Sequence, residues 1–475
     1  MKTIDRNSTF HTGNGGDTMP LGYMKPIKSE YESQTFNPGM GENQYGTSFT
    51  INESESRKSL NLSSRAFPAM QTRPGRAHAF TALTTPNALG QRDNQYPHVQ
   101  DGTTWKRWDG SAWQTVQASL TSARAKIIDF TTGTTKYTIL SNGTDRYSWN
   151  GTTAASLTAF PLTKIMCSHK GRVYAMLARE LKFSALNLIT DWTTANDAGS
   201  ISITNAKSNG VAITEYADHV VVLTGSSMHE LHGTGPSTYE LIDISEDGCV
   251  ADRTLIESKG VLYWLDEGEF KAYTGGIPAV ISQKVQDYLK GIPNAYKSKC
   301  CCGKLGKYIY LSIPYGAVTE CNLLLEYDTE LQQWYPQSGS FVDFVTIGEK
   351  LYGLDTTGQI WDMDSGTDDA GTVITWYKES GAYVRQSLRN KKILQNVYTL
   401  FDQPTGSTFA IGTSSTADAV DFVTRQTFTA STSEQNQKAT LDANILGYVD
   451  WYRLKLSGTG PVTVHAIEQY YRKEK

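Results

Sequence analysis

A two-strand unit recurs along most of this chain and leaves few folds open. Each copy starts on Gly or another turn residue and runs through alternating apolar residues. It then turns on Asp, Asn or Gly and closes with a second strand carrying an aromatic. Copies begin at His98 (HVQDGTTWKRWDGSAW), Lys136 (KYTILSNGTDRYSWNG), Gly171, Asp218, Gly260, Gly306 and Gly348. Registered on their first strands, Tyr137, Tyr174, Val222, Tyr263, Tyr310 and Tyr352 fall 37, 48, 41, 47 and 42 residues apart. The mean of about 43 residues is the length of one four-stranded propeller blade. A parallel β-helix repeats more tightly, and a sandwich does not repeat. One small sheet cannot bury both its faces alone, but radial packing buries them against neighbours. The chain therefore reads as all-β, with a β-propeller of six or seven blades between about residues 77 and 368.

Composition agrees. There are 41 Gly, 26 Tyr and 10 Trp, the mixture of turn formers and strand formers that a hairpin array needs. Asp109-Gly110, Asn142-Gly143 and Asn150-Gly151 are tight-reversal pairs. Residues 1–60 differ, being rich in Gly, Asn, Ser and Glu and poor in apolar residues. They cannot build a core and are expected to form an extended N-terminal arm. It is either a disordered tail or a strap ordering on a neighbouring subunit through Tyr23, Met24, Tyr31, Phe36 and Tyr45. The propeller domain then takes 61–368. Residues 369–475 read as about seven antiparallel strands of a β-sandwich, with Trp376, Val397, Tyr398, Trp451, Tyr452 and Leu454 as its core and a basic tip at Arg472–Lys475. One helix is expected over Ile281–Leu289, with Ser282 as N-cap, Gly291 as stop, and an apolar stripe of Val285, Tyr288 and Leu289.

Motifs for chemistry are scarce. The net charge is −4, without the basic excess of a dedicated nucleic-acid binder. A weakly acidic surface can still line a channel through which DNA slides. The six cysteines (Cys167, Cys249, Cys300, Cys301, Cys302 and Cys321) lack zinc-type spacing and are expected as buried free thiols. Strand alternation puts Cys300 and Cys302 on one face and Cys301 on the other. The opening MKTID lacks a signal-peptide core. No apolar run approaches the ~20 residues of a membrane helix, so synthesis in the cytoplasm is expected. Phosphate loops and nucleophile elbows are absent from the sequence. His229-Glu-Leu-His232 is one residue short of HExxH, and strand geometry turns its two imidazoles apart. Asp362-Met-Asp364-Ser-Gly-Thr-Asp368-Asp369 lacks the closing Glu of a calcium loop. Asp101, Asp109, Asp145, Asp266, Asp328 and Asp355 lie in or beside hairpin turns, which suits Asp, and no two stand out as an acid–nucleophile pair. Arg385, Arg389, Lys391 and Lys392 read as a solvated basic face or as an interface with an acidic neighbour. No catalytic, cofactor-binding or metal residue is assigned.

Three segments carry a resemblance. NLSSRAFPAMQTRPGR (61–76), LKFSALNLITDWTTANDAGSISI (181–203), and MHELHGTGPSTYELIDISEDGCVADRTL followed by GVLYWLDEGEFKAYTGG are similar, in that order, to stretches of the tail hub and nozzle proteins of short-tailed phages. The resemblance spans roughly 61–366. It implies a non-enzymatic structural protein of the virion tail, without cofactor, forming a ring expected to hold six copies. Adjacent tail proteins and fibres would be its partners, and DNA would pass without sequence-specific contacts during ejection. The long Gly/Asn-rich N-terminus and the C-terminal sandwich depart from that pattern. They leave the position along a short or a long tail open. Two alternatives remain: a tail-tip receptor-binding propeller whose Trp105, Trp108 and Trp113 stack on sugar rings, and a glycan-cleaving enzyme.

Overall fold

Seven four-stranded antiparallel sheets follow one another around an axis, spanning residues 86–117, 126–156, 166–202, 210–245, 256–280, 301–338 and 341–362. They are seen in a computed structural model that describes residues 31–475 apart from 386–387, 389–390, 419–420, 433, 443–445 and 474–475. The protein is a seven-bladed β-propeller. The registered residues Tyr137, Tyr174, Val222, Tyr263, Tyr310 and Tyr352 all sit on the second strand of their blades. Blade seven supplies only three strands of its own, Phe341–Ile347, Lys350–Asp355 and Ile360–Asp362. Its fourth, Ala77–Phe80, comes from the chain preceding blade one, with Ile360 opposite Phe80 and Trp361 opposite His78. The ring is thereby closed by hydrogen bonds between residues nearly 300 positions apart. Phe80 seals the seam, 5.2 Å from Trp108 and 5.1 Å from Tyr352 between ring centres.

Strand alternation feeds the cores between blades. On Val261–Asp266, Leu262 and Trp264 face blade four, against Val221 and Leu223. Tyr263 and Leu265 face blade six, against Ile309 and Tyr327. Cys300 and Cys302 join the cluster of blades five and six, and Cys301 that of blades six and seven. This is the division that the two-residue period requires. The expected helix is a 3₁₀ turn, Gln283–Val285, continued by one α-turn, Gln286–Lys290. Val285 and Leu289 are buried between blades five and six. Ser282 does not cap it; its Oγ accepts the Phe270 N–H at 2.9 Å.

From Tyr31 on, the N-terminal segment differs from the expected arm. Tyr31–Phe36 pairs along Thr463–Lys473, with Tyr31 opposite Arg472 and Phe36 opposite Ile467. Lys58–Leu60 pairs with Thr375–Glu379. Leu62–Ser63 and Met70–Thr72 extend the sheet that contains Thr463–Lys473. Two of the expected anchors hold on this same chain: Tyr31 stacks on Tyr470 at 5.4 Å, and Phe36 lies 5.8 Å from Tyr383, whereas Tyr45 is 68% exposed. The physical reason is the edge of Thr463–Lys473, whose backbone groups would otherwise be unpaired. Tyr23 and Met24 lie outside the described residues. The sandwich thus has a six-stranded and a five-stranded sheet built from both ends of the chain. Its core holds Leu62, Met70, Trp376, Val397, Phe401, Phe409, Tyr452 and Leu454. Tyr398 and Trp451 are only half-buried.

The propeller is therefore inserted into the sandwich, and its two connections run side by side. The Gly75 N–H donates to Gly366 O and the Arg76 N–H to Asp368 O, both at 2.9 Å. A Cβ at Gly75 would stand 2.2 Å from Asp368 O, so only glycine permits this approach. The segment 61–76 also fixes blade six to the sandwich. Ser63 Oγ donates to Glu326 at 2.6 Å, and Arg65 reaches Glu326 at 3.1 Å and Asp364 at 3.0 Å. Arg73 grips Asp369 with two nitrogens, and Tyr335 of blade six enters the sandwich core. Arg65→Ala is expected to cost roughly 2 kcal/mol, since Glu326 is buried and keeps its Ser63 and Gln337 donors. Urea titration would measure this, and an unchanged midpoint would count against the clamp.

Candidate functional site

The bore of a propeller is where the first strands of its blades converge, and here one end of it is closed by protein. Arg253 precedes the first strand of blade five and is buried. Its guanidinium crosses the axis. Nη1 donates to Val342 O in blade seven at 3.0 Å, and Nη2 donates to Asn87 O at 2.8 Å and Ala125 O at 2.7 Å, at the starts of blades one and two. Asp343 balances its charge at 3.1 Å. Arg124 adds bonds to Ser298 O, Lys299 O and Val342 O. Burial and the neighbouring Arg124 lower the Arg253 pKa, and Asp343 opposes them. A cavity of about 210 Å³ remains beside this plug, lined by Gly90, Ile127, Asp129, Arg253 and Asp343 among others. A guanidinium bonded to three blades leaves no through-passage for a polymer.

The carboxylates singled out in the sequence do not converge; each is held by a nearby turn, a neighbouring loop or a lysine. Asp101 accepts the N–H groups of Thr84 and Thr85, and Asp109 those of Ser111 and Ala112. Asp145 accepts the Thr121 N–H, Asp328 those of Glu330 and Leu331, and Asp355 those of Thr357 and Gln359. Asp266 pairs with Lys271 at 3.3 Å. The acidic run is dispersed as well, with Asp362 on Lys350, Asp364 on Arg65 and Asp369 on Arg73. Trp105 is fully buried, and Trp108 and Trp113 pack on Phe80, so blade packing occupies all three. The basic cluster is not one solvated face. Arg385 is buried against Glu53, Tyr452 and Gln469, and the Lys392 ammonium donates inward to Asp450 O at 2.6 Å. Lys391 is exposed, and Arg389 lies outside the described residues.

His229 and His232 do turn apart. His229 bonds Ser227 and Asp243, while His232 joins His219 and Glu230 on the opposite face. His219 and His232 stack at 4.4 Å with the Glu230 carboxylate 2.9 Å from each Nε2. Three ligand atoms within 4.8 Å make the donor set of a two-histidine, one-carboxylate metal centre. In this structure Tyr273 also donates to Glu230 at 2.7 Å. The sequence hid this trio because His219 reaches it only through the hairpin register that sets Val220 opposite Leu231.

All six cysteines are free and buried. Burial pushes the Cys321 thiol up to about 11 and the Cys249 thiol up to about 12. Since the thiolate is the reactive form, a thiol reagent at neutral pH is expected to leave all six unmodified in the folded chain and to titrate them after unfolding. Fast labelling of the native protein would contradict this.

No protein-family model matches the chain, and neither does any curated protein. The chain is similar in structure to streptogramin B lyase at 10% identity, covering 60% of this chain and 95% of that one, with a TM-score of 0.42. It is also similar to the Pan2 WD40 domain of Neurospora crassa at 8% identity, covering 62% and 96%, with a TM-score of 0.38. The AfRom2 CNH domain is 11% identical over 61% of this chain and 99% of that one, with a TM-score of 0.40. The order of strands in the seven sheets, rather than these likenesses, identifies the propeller. Among the described residues no helix is long and apolar enough to cross a membrane.

Proposed function

We propose that this protein is a structural component of a bacteriophage tail, a ring-forming hub or nozzle subunit that encloses or closes the DNA channel and takes part in ejection. The observation that carries the reading is the ordered resemblance of three segments, 61–76, 181–203 and 228–276, to such proteins. The plugged bore refines it. DNA would pass between subunits of the ring rather than through a propeller, and each propeller would serve as a rigid block. Rigidity is supported by the double connection at Gly75 and Gly366 and by the blade-six clamp, which suit a part that transmits force. Opening would then be a shift between ring states biased by contact with neighbouring tail proteins or fibres, and six copies remain the expected stoichiometry. On this reading the protein is made in the host cytoplasm and ends in the virion.

Cryo-electron microscopy of the purified protein and of particles tests this. Rings at the tail axis are expected. A strictly monomeric species that never enters particles would overturn the proposal. The receptor-binding alternative, resting on Trp105, Trp108 and Trp113, has less support, because Trp105 is fully buried and the half-buried Trp108 and Trp113 pack on Phe80.

A further inference from the structure

Between blades one and two lies a cavity of about 270 Å³ whose walls include Arg92, Tyr96, His98, Arg107 and Trp149. Apart from Asp93, its charged and ring-nitrogen groups are donors. His98 is completely buried, and its Nδ1 accepts the Trp105 indole N–H at 3.2 Å. That bond fixes the ring proton on Nε2, and Nε2 is buried without a partner. Arg92 Nη1 is likewise buried without a partner, although its Nη2 donates to Lys136 O at 3.2 Å. The Arg107 guanidinium lies 5.3 Å from the Trp149 ring centre, and Arg92 lies 4.5 Å from the same ring. Among the described residues Arg107 has no carboxylate partner. Asp93, the one acid in the lining, is shared between Arg92 at 3.6 Å and Lys136 at 2.9 Å.

Two guanidiniums thus line one space, with the buried imidazole N–H beside them and Asp93 the one acid in the lining. Buried donors are normally satisfied, and paired cationic donors of this fork geometry match an oxyanion. We propose that this cavity binds the carboxylate or phosphate group of an acidic monosaccharide-sized ring. The volume admits one ring rather than a chain. Tyr96 stands at the rim, 48% exposed, where it can cover the ring's apolar face. Burial, with Arg92 and Arg107 adding to it, holds His98 down at about 3, so it acts as a neutral donor across the physiological range. Binding of this kind does not depend on whether the subunits form a ring.

The test is a titration of the full-length protein with glucuronate, glucose 6-phosphate, inorganic phosphate and neutral glucose, read by tryptophan fluorescence and calorimetry. Saturable binding of glucuronate or glucose 6-phosphate is expected, about tenfold or more tighter than glucose. Which of the two acids wins identifies a carboxylated or a phosphorylated source. Arg107→Gln, at a half-buried position, is expected to weaken that binding at least about tenfold while leaving the unfolding midpoint in place. No saturable binding of either acid, or binding that Arg107→Gln leaves unchanged, would overturn the proposal. Equal affinity for inorganic phosphate would overturn the assignment of a ring.

Discussion

Arg253→Leu is expected to lower the folding free energy by roughly 3–5 kcal/mol. The wild-type guanidinium is the donor for three main-chain oxygens, Val342 O, Asn87 O and Ala125 O, and it neutralises Asp343. Leucine fills part of the space but donates nothing. Three carbonyls lose a partner and a nearly buried carboxylate loses its counter-charge, each a cost of order 1–3 kcal/mol that water in the cavity beside it offsets in part. The loss is concentrated at the axis, where blades five, seven, one and two meet. It should therefore appear in the unfolding of the propeller as a unit, and tryptophan fluorescence in urea reads it through Trp105, Trp264 and Trp334, all fully buried in blades. Arg253→Lys keeps the charge but replaces a planar fork by a single ammonium, so it should recover only part of the loss. A leucine variant within about 1 kcal/mol of the wild type would show that the plug is decorative.

The propeller was legible because its repeat is local. Each blade's second and third strands form a hairpin, and Tyr137, Tyr174, Tyr263, Tyr310 and Tyr352 mark it. Blade number stayed at six or seven for a physical reason: the last sheet borrows Ala77–Phe80 from before the first blade, and no local pattern announces a partner so far away. The sandwich was half legible. Trp376 and Tyr452 read as core from their own strands. Lys58–Leu60 and Leu62–Ser63 are too short to show a period, and YESQTF at 31–36 has apolar residues only at its ends. Their strand character comes from Glu379, Tyr377, Thr72 and Ile467 across the sheets. Segment 61–76 was noticed as a resemblance, but its work is plain only in three dimensions, where Ser63, Arg65 and Arg73 meet Glu326, Asp364 and Asp369. The cavity beside Trp149 was invisible for a related reason. Arg92, His98 and Arg107 lie on three strands of one blade, where each reads alone as an ordinary strand residue.

Acid should destabilise the propeller through His98, and the sign follows from its environment. In the unfolded chain the imidazole titrates at its ordinary 6.5; in the fold, burial with Arg92 and Arg107 close by depresses it to about 3. Between those values the unfolded state binds a proton that the native state refuses, so stability falls as pH drops below 6.5 and continues to fall toward 3. Between pH 7 and pH 4.5 the contribution is about 2–3 kcal/mol. His98→Asn isolates it. The asparagine carbonyl can take the Trp105 N–H in place of Nδ1, and the side chain does not titrate. Carboxylates that protonate over the same range do so in both proteins and cancel in the comparison. The wild type is expected to lose about 2–3 kcal/mol more than the variant from pH 7 to pH 4.5, measured by urea titration at each pH. Parallel stability curves would mean that the buried imidazole accepts its proton in the folded state, and that the two guanidiniums beside it do not act on it as their positions imply.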